Sequence, residues 1–233
     1  IGSLTSKILA EKGHKVTVVD NLMFEQDARK ITSNWKKINF IKGDVRDRGL
    51  MKQLINKNDI IIPLAGIVGA PLCDKMPKET LEINTDAVRY LNSVSSKEQQ
   101  ILMPVSNSGY GVGEKDKFCD ENSPLNPVSL YGRSKVEAEK IIMERENSIS
   151  FRLATVFGVS YFRMRTDLMV NNFIYLATKK EVFKLFEPNF RRNFVHLLDV
   201  ATAFDYAIDN FTQMKNNIFN LGLNNANLTK IML

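Results

Sequence analysis

Between Gly13 and Asn21 the chain reads His14-Lys15-Val16-Thr17-Val18-Val19-Asp20. Valine and threonine dominate this run, and β-branched side chains suit a pleated strand. The near-continuous apolar run marks a strand covered on both faces, as in parallel sheets flanked by helices. The preceding residues agree. Leu4 to Lys12 carries apolar residues at positions 4, 8 and 9, a one-sided helical pattern that Gly13 ends. The strand finishes on a carboxylate, Asp20.

Working outward, the same alternation repeats. Asn39-Phe-Ile-Lys-Gly43 reads as a second strand, followed by a helix over Gly49 to Asn56. Further strands are expected at Asp59 to Ala65, Ile101 to Ser106 and Ile149 to Val156, with helices at Pro77 to Ser95 and Ser129 to Glu146. Strands separated by helices predict an α/β fold, a Rossmann-like doubly wound parallel sheet. From about residue 163 the rhythm changes to a helix over Asp167 to Lys180, short strands at Val182 to Phe186 and Arg192 to His196, a helix through Asp209 and a strand at Ile218 to Leu221. Residues 1–160 are therefore expected to form a Rossmann-like domain and 161–233 part of a smaller C-terminal lobe.

Bulk composition excludes several classes. The 233 residues are 44% hydrophobic and 25% charged, enough for a large core and incompatible with disorder. Lys plus Arg number 32 against 26 Asp plus Glu, a net charge of +6. The basic residues are scattered, with no run longer than pairs such as Lys36-Lys37 or Arg191-Arg192, so no nucleic-acid footprint is expected. With two cysteines, Cys73 and Cys119, and two histidines, no metal site is expected either. The longest apolar stretch, Ile60 to Cys73, has no charged residue but is too short for a membrane span and holds two prolines. A cytoplasmic protein is the expectation. Beginning at Ile1 and stopping after Ile231-Met232-Leu233, the sequence reads as a chain truncated at both ends.

In such sheets ligands bind outside the carboxyl ends of the strands. Gly2 stands where a dinucleotide fold places its last phosphate-loop glycine, the missing side chain allowing close helix–strand packing. Asp20 follows 18 residues later, suited to the adenosine ribose hydroxyls. A carboxylate there, with Asn21 rather than an arginine next, favours NAD over NADP. Tyr131-Gly-Arg-Ser-Lys135 places a phenol and an ammonium four residues apart on one helix face, and a nearby cation lowers a phenol's pKa. Tyr175 and Lys179 repeat the spacing inside an apolar helix, where core packing and a surface lysine are expected. Tyr131 differs in following strand-ending Ser106, whose hydroxyl suits it to hydrogen-bond a substrate hydroxyl.

On these residues the chain resembles the extended short-chain dehydrogenase/reductases of the NAD-dependent nucleotide-sugar epimerase/dehydratase family. The match runs through Gly2, Asp20-Asn21-Leu22, Gly43-Asp44-Val45, Leu64-Ala65-Gly66, Asn84-Thr85, Ser106 with Tyr110-Gly111, Tyr131 with Lys135, Arg152-Leu153, Arg192 to His196, Asp199-Val200 and Asn220-Leu221-Gly222. The resemblance implies that Asp20 and Asn21 hold the adenosine ribose end, Asp44 and Val45 contact adenine, and Leu64, Ala65 and Gly66 line the cofactor path. It makes Tyr131 the catalytic base and Ser106 its hydroxyl partner. Lys135 would bind the nicotinamide ribose and lower the Tyr131 pKa. Arg192 would meet the substrate pyrophosphate, and Thr155 would stand near the sugar. Asn84 is expected to have a structural helix role, and His196 to be a strand residue rather than a catalyst. The family also implies a homodimer through the helices around 84–95 and 131–146.

Two departures refine the function. Asn107 and Ser108 follow Ser106 where 4,6-dehydratases carry carboxylic acids, and neither delivers a proton as an acid does. Thr155 stands near where 4-epimerases carry an asparagine, which leaves the sugar preference open. The expected activity is NAD-dependent epimerisation of a nucleotide-sugar at C4 through a transient 4-keto sugar. A dehydratase or oxidoreductase on the same substrate class is the alternative, and a non-catalytic NAD-binding scaffold a further one.

Overall fold

A computed structural model describes residues 1–24, 37–113, 118–160, 165–182 and 184–233. The chain opens with helix α1 (Gly2–Glu11), strand β1 (Val16–Asp20) and strand β2 (Ile38–Lys42). Helix α2 (Arg48–Ile55) and the short strand β3 (Ile60–Ile61) follow, then α3 (Ala70–Lys75), α4 (Pro77–Leu81) and α5 (Ala87–Val94). Strand β4 (Gln100–Ser106), α6 (Leu130–Met143), β5 (Ser148–Leu153) and β6 (Thr155–Phe157) form the centre. The remainder is α7 (Met169–Thr178), β7 (Arg191–His196), α8 (Leu197–Asp209), α9 (Phe211–Met214), β8 (Asn217–Leu221) and β9 (Asn227–Thr229).

The strands form a parallel pair β1-β2, a parallel four-stranded sheet ordered β3-β4-β5-β8, and a sheet β6-β7-β9 in which only β7-β9 is antiparallel. Helices cover both faces of the four-stranded sheet, and the period-2 alternation of β4 shows why. Ile101, Met103 and Val105 point to one side, packing with Ile55 of α2, Val88 and Leu91 of α5, and Ala138, Ile141 and Ile142 of α6. Leu102 points to the other, joining Ile149, Phe151, Leu153, Val200, Phe204 and Phe211. There Phe151 meets Phe204 edge to face with ring centroids 5.4 Å apart. Such a fully buried ring contributes about 1.5–3 kcal/mol by leaving water. The fold is thus the doubly wound α/β arrangement of Rossmann type.

Several elements differ from their expected extents. The strand expected at Asp59 to Ala65 pairs only at Ile60–Ile61, after which the chain turns toward the site. The run Ile149 to Val156 divides at Ala154, where the chain leaves the four-stranded sheet and starts the next. The helix expected over Pro77 to Ser95 is interrupted by a wide π turn at Glu82–Asp86, a defect often associated with functional sites. Of Val182 to Phe186, Phe183 lies outside the described residues and the others belong to no strand. The segment from 161 onward interlocks with the first part, because β8 pairs with β5 and α8 packs on α1. Lys12 of the first segment pairs with Asp205 of α8 at 2.5 Å.

Candidate active site

The carboxyl end of β4 carries the first expected residue. The Ser106 hydroxyl oxygen accepts from the Ser108 amide at 3.2 Å, capping a short 3₁₀ turn over Asn107–Tyr110. The two serine hydroxyls lie 3.0 Å apart, so the Ser108 O–H can donate to Ser106 as well. That arrangement leaves the Ser106 proton available to a third group. Facing it, α6 begins at Ser129, whose side chain accepts from Gly132 N at 3.0 Å. A Cβ on Gly132 would lie 2.9 Å from the Ser108 carbonyl oxygen and 3.0 Å from Pro127 Cβ. Only a glycine lets the first turn of α6 approach so closely. Its neighbour Tyr131 is thereby brought under the hydrogen-bonding influence of Ser106.

The direction of the Tyr131 shift corrects an expectation. Burial pushes the phenol above its usual value, and it outweighs the lowering by the Ser106 hydroxyl and by the Arg165 guanidinium. Lys135 is not among the groups acting on it. The cation that does act, Arg165, is held by Asp167 through two hydrogen bonds of 2.7 and 2.5 Å. Nothing in its local sequence singled it out.

Lys135 is itself buried, and burial lowers its ammonium to about 8. Among the described residues it donates no hydrogen bond. Gly66 lies against it: a Cβ there would meet Asn84 Oδ1 at 3.1 Å and Lys135 Nζ at 3.4 Å. Asn84, inside the π turn and fully buried, accepts from Ile67 N and donates to Ile67 O, each at 2.9 Å. Its amide also donates to Ser134 Oγ at 3.2 Å, and Ser134 donates to the Tyr131 carbonyl at 2.9 Å. The Leu64-Ala65-Gly66 segment is thus clamped to α6 beside the lysine. Asn84, expected to have a structural helix role, ties the Ile67 loop to α6 through its side chain. Cys73, buried with its thiol on the Ile67 carbonyl at 3.5 Å, packs in the same cluster as Tyr131.

At the other end of the path, β1 and β2 finish side by side with Asp20 opposite Lys42. Asp20 is exposed and its Oδ1 accepts from Leu22 N at 2.7 Å, while Asn21 donates to Asp44 Oδ2 at 3.2 Å. Arg46 grips both Asp44 oxygens at 2.9 Å and reaches Glu82 at 2.8 Å. That fork holds the Asp44 carboxyl far below the usual range. Val45, Arg46, Arg48, Glu82, Asp86, Ala87 and Tyr90 line an open cavity of about 430 Å³. Gly2 starts α1, which has no side-chain cap. A Cβ on Gly2 would make only an ordinary 3.6 Å contact with Leu64, so close packing is not what requires glycine there.

On the substrate side, Thr155 is half-buried at the start of β6, opposite Phe194 of β7. Arg192 is exposed on β7 with its guanidinium 5.9 Å from the centre of the Phe190 ring, and no described carboxylate pairs with it. His196 ends β7 and caps α8, its Nδ1 accepting from Leu198 N at 3.2 Å, in keeping with a structural part. Tyr175 is 42% exposed on α7 with Lys179 Nζ 5.9 Å from its ring centre, so this second tyrosine–lysine pair lies on the surface and not in the core. Both cysteines are free. Among the described residues no helix is long and apolar enough to cross a membrane, and no group of three or more His, Cys, Asp or Glu is assembled to hold a metal.

The residues fit a dinucleotide. Among the described residues Lys135 is a buried cation without an acceptor, and Gly66 lets the loop backbone approach it, since a Cβ there would meet Asn84 Oδ1 at 3.1 Å and Lys135 Nζ at 3.4 Å. Ribose hydroxyls supply such acceptors. The exposed carboxylate of Asp20, at the end of β1, can accept hydrogen bonds from ribose hydroxyls.

The profile of the NAD dependent epimerase/dehydratase family matches residues 1–222. A putative UDP-glucose 4-epimerase of Methanocaldococcus jannaschii is 28% identical over 95% of this chain and 73% of its own length. The aligned part spans only 44% of the UDP-glucose 4-epimerases of Neisseria meningitidis that also match. Among solved structures, the Thermus thermophilus UDP-glucose 4-epimerase in complex with NAD superposes with a TM-score of 0.83 at 20% identity, over 100% of this chain and 77% of that one. The dTDP-glucose 4,6-dehydratase of Bacillus anthracis in complex with NAD gives the same score at 18% identity, over 99% of this chain and 74% of that one. At such identities the two structures share the fold. With the family profile covering nearly the whole chain, and Ser106, Tyr131 and Lys135 gathered at one end of the sheet, the chain belongs to the NAD dependent epimerase/dehydratase family.

Proposed function

We propose that the protein inverts a nucleotide-sugar at C4 through a transient 4-keto sugar. The observation that supports this reading best is the capped turn after Ser106. It presents Ser106 with Asn107 and Ser108 behind it, and no carboxylic acid, next to the buried phenol of Tyr131. The Tyr131 oxygen takes the proton of the sugar 4-hydroxyl, and Ser106 orients that hydroxyl by hydrogen bonding. NAD, held by Lys135 and Asp20, would supply the hydride acceptor and donor that inversion at C4 requires. Lys135 and Asp20 hold the two ribose ends, Gly66 lets the loop backbone lie close to Lys135 along the path between them, and Val45 faces the adenine end. Arg192, exposed and unpaired with a described carboxylate, binds the substrate pyrophosphate with the fork geometry that suits phosphate. Thr155 stands at the sugar end. Burial raises the Tyr131 pKa, and the Ser106 hydroxyl and the Arg165 guanidinium are the groups that favour its deprotonated form.

Dehydration of the same substrate class is the alternative, supported by the equal structural likeness to a 4,6-dehydratase. The full-length protein incubated in heavy water with NAD and UDP-, dTDP-, GDP- or CDP-sugars separates the two. An epimerase places no solvent deuterium in the sugar, whereas a dehydratase labels its product and yields a 4-keto-6-deoxy sugar. Tyr131→Phe tests catalysis against a binding scaffold: turnover should vanish with NAD still bound, and unchanged turnover rejects the assignment. A homodimer through the outer faces of α5 and α6, where Arg89 pairs with Glu137 at 3.3 Å, and a cytoplasmic setting complete the reading.

A further inference from the structure

Strand β5 has a buried polar face. Ser148, Ser150 and Arg152 alternate with Ile149, Phe151 and Leu153, and all six are buried. The apolar three join the core beneath α8, whereas the polar three face α6. There Arg152, 5% exposed, meets Glu139, 3% exposed. Arg152 Nη2 donates to Glu139 Oε1 at 2.7 Å and Nε to both carboxylate oxygens at 3.1 Å, and Ser150 donates to Oε2 at 2.8 Å. The remaining fork of the guanidinium points elsewhere. Arg152 Nη1 donates to the Tyr110 hydroxyl at 2.9 Å and to the Glu121 carbonyl at 3.0 Å. Tyr110 in turn donates to Asn220 Oδ1 at 2.7 Å, and Asn220 N donates to the Glu121 carboxylate at 2.6 Å. Val105, Arg152 and Asn220 lie in register across β4, β5 and β8, one row behind Ser106.

This network joins β5, α6, β8, the turn after Ser106 and the segment at Glu121. Glu139 lies on the α6 stripe of Tyr131 and Lys135, at i, i+4 and i+8. Tyr110 ends the turn that Ser106 begins. Glu121 belongs to the segment leading into α6. A buried ion pair is a costly way to fill a core, since apolar side chains of similar volume are commonly as stable or more so. An apolar pair, however, has no direction. Four directed donors to three elements have.

We propose that the Glu139–Arg152 pair, acting through Tyr110, is a positioning device that sets Tyr131 of α6 against Ser106 for proton transfer. Neither Glu139 nor Arg152 touches the reacting atoms; both act by holding those that do. The proposal rests on the Tyr131/Ser106 chemistry above, but it makes a separate claim about geometry.

The test uses the full-length protein with NAD and its sugar nucleotide. Glu139→Gln keeps the shape and removes the charge, and should lower kcat by on the order of 10²-fold with KM within about twofold, the effect of misplacing a reacting group by about 1 Å. Arg152→Lys keeps the charge but not the fork, so it should not rescue. The double variant Glu139→Leu/Arg152→Met should melt at or above the wild-type temperature and still show the low kcat. If its activity returns with its stability, the pair is only core filling and the proposal fails. A second readout needs no turnover: the Tyr131 ring carbon, assigned against Tyr131→Phe in tyrosine-labelled protein, is titrated by NMR. In the double variant it should titrate higher by about half a pH unit or more, having lost the Ser106 hydroxyl. An unchanged titration overturns the proposal. A wild-type protein that turns over no sugar nucleotide overturns the proposed reaction instead, and the titration then decides the positioning role alone.

Discussion

Lys135 is a buried ammonium without a described acceptor, and removing it should make the unliganded protein more stable. Burial lowers its pKa from 10.5 to about 8, and the described residues give it no hydrogen-bond acceptor. At 1.36 kcal/mol per pH unit that depression corresponds to roughly 3 kcal/mol of destabilisation while the lysine stays charged. The unfolded chain binds the lysine proton up to pH 10.5, whereas the folded chain releases it near 8. Between those values the unfolded state holds more protons, so wild-type stability rises with pH across that window. Lys135→Met keeps much of the volume and removes the charge. Urea unfolding of NAD-free wild type and variant from pH 6 to 10.5 should show the variant ahead by up to roughly 3 kcal/mol below pH 8. The gap should then narrow steadily toward pH 10.5. Because only the difference between the two proteins is read, the other lysines and tyrosines cancel. A variant less stable than wild type at pH 7, or a gap flat between pH 8 and 10, refutes the idea of an unsatisfied buried cation. The same variant should lose turnover and bind NAD more weakly, which separates a site built for function from one built for stability.

Three further outcomes follow from the geometry. Asn84→Leu leaves the Ile67 amide and carbonyl buried without partners, so calorimetry should show a loss of about 2–4 kcal/mol, with a parallel loss of NAD affinity as the Gly66 loop is released. Gly132→Ala places a Cβ 2.9 Å from the Ser108 carbonyl and should part α6 from the Ser106 turn; kcat should fall at least about tenfold, with far-ultraviolet circular dichroism unchanged. Arg46→Ala frees the Asp44 carboxyl, whose NMR titration should climb back toward the usual value of about 4; a carboxyl that stays far below it would show that Arg46 is not the cause.

Much of the fold is legible in local sequence because it is governed by local rules. The valine-rich run to Asp20 forms the expected strand, though half-buried rather than covered and with Asp20 exposed, and the alternation of strands with one-sided helices led to the doubly wound sheet. Site residues at strand ends and helix starts were readable for the same reason: Asp20 closes β1, Ser106 closes β4 and Tyr131 opens α6. Elements at sheet junctions were less readable. Whether Ala154 continues a strand or leaves it depends on β8 and β7 arriving beside it, and no periodicity within 149–156 records that.

By itself, then, the sequence determined the fold class, the family and the catalytic candidates, since each rests on spacing within one element or at its ends. Tertiary structure alone decided the environment of those candidates. Ser106 and Tyr131 meet because Gly132 admits a carbonyl from a turn 24 residues earlier. Tyr131 is raised rather than lowered because burial outweighs the nearby charges, and the acting cation is Arg165, far along the chain. Arg152 finds Glu139 only because β5 lies between β4 and β8 with its polar face toward α6. A side chain's type is written locally, but its desolvation and its partners are sums over neighbours brought together by the register of the sheet.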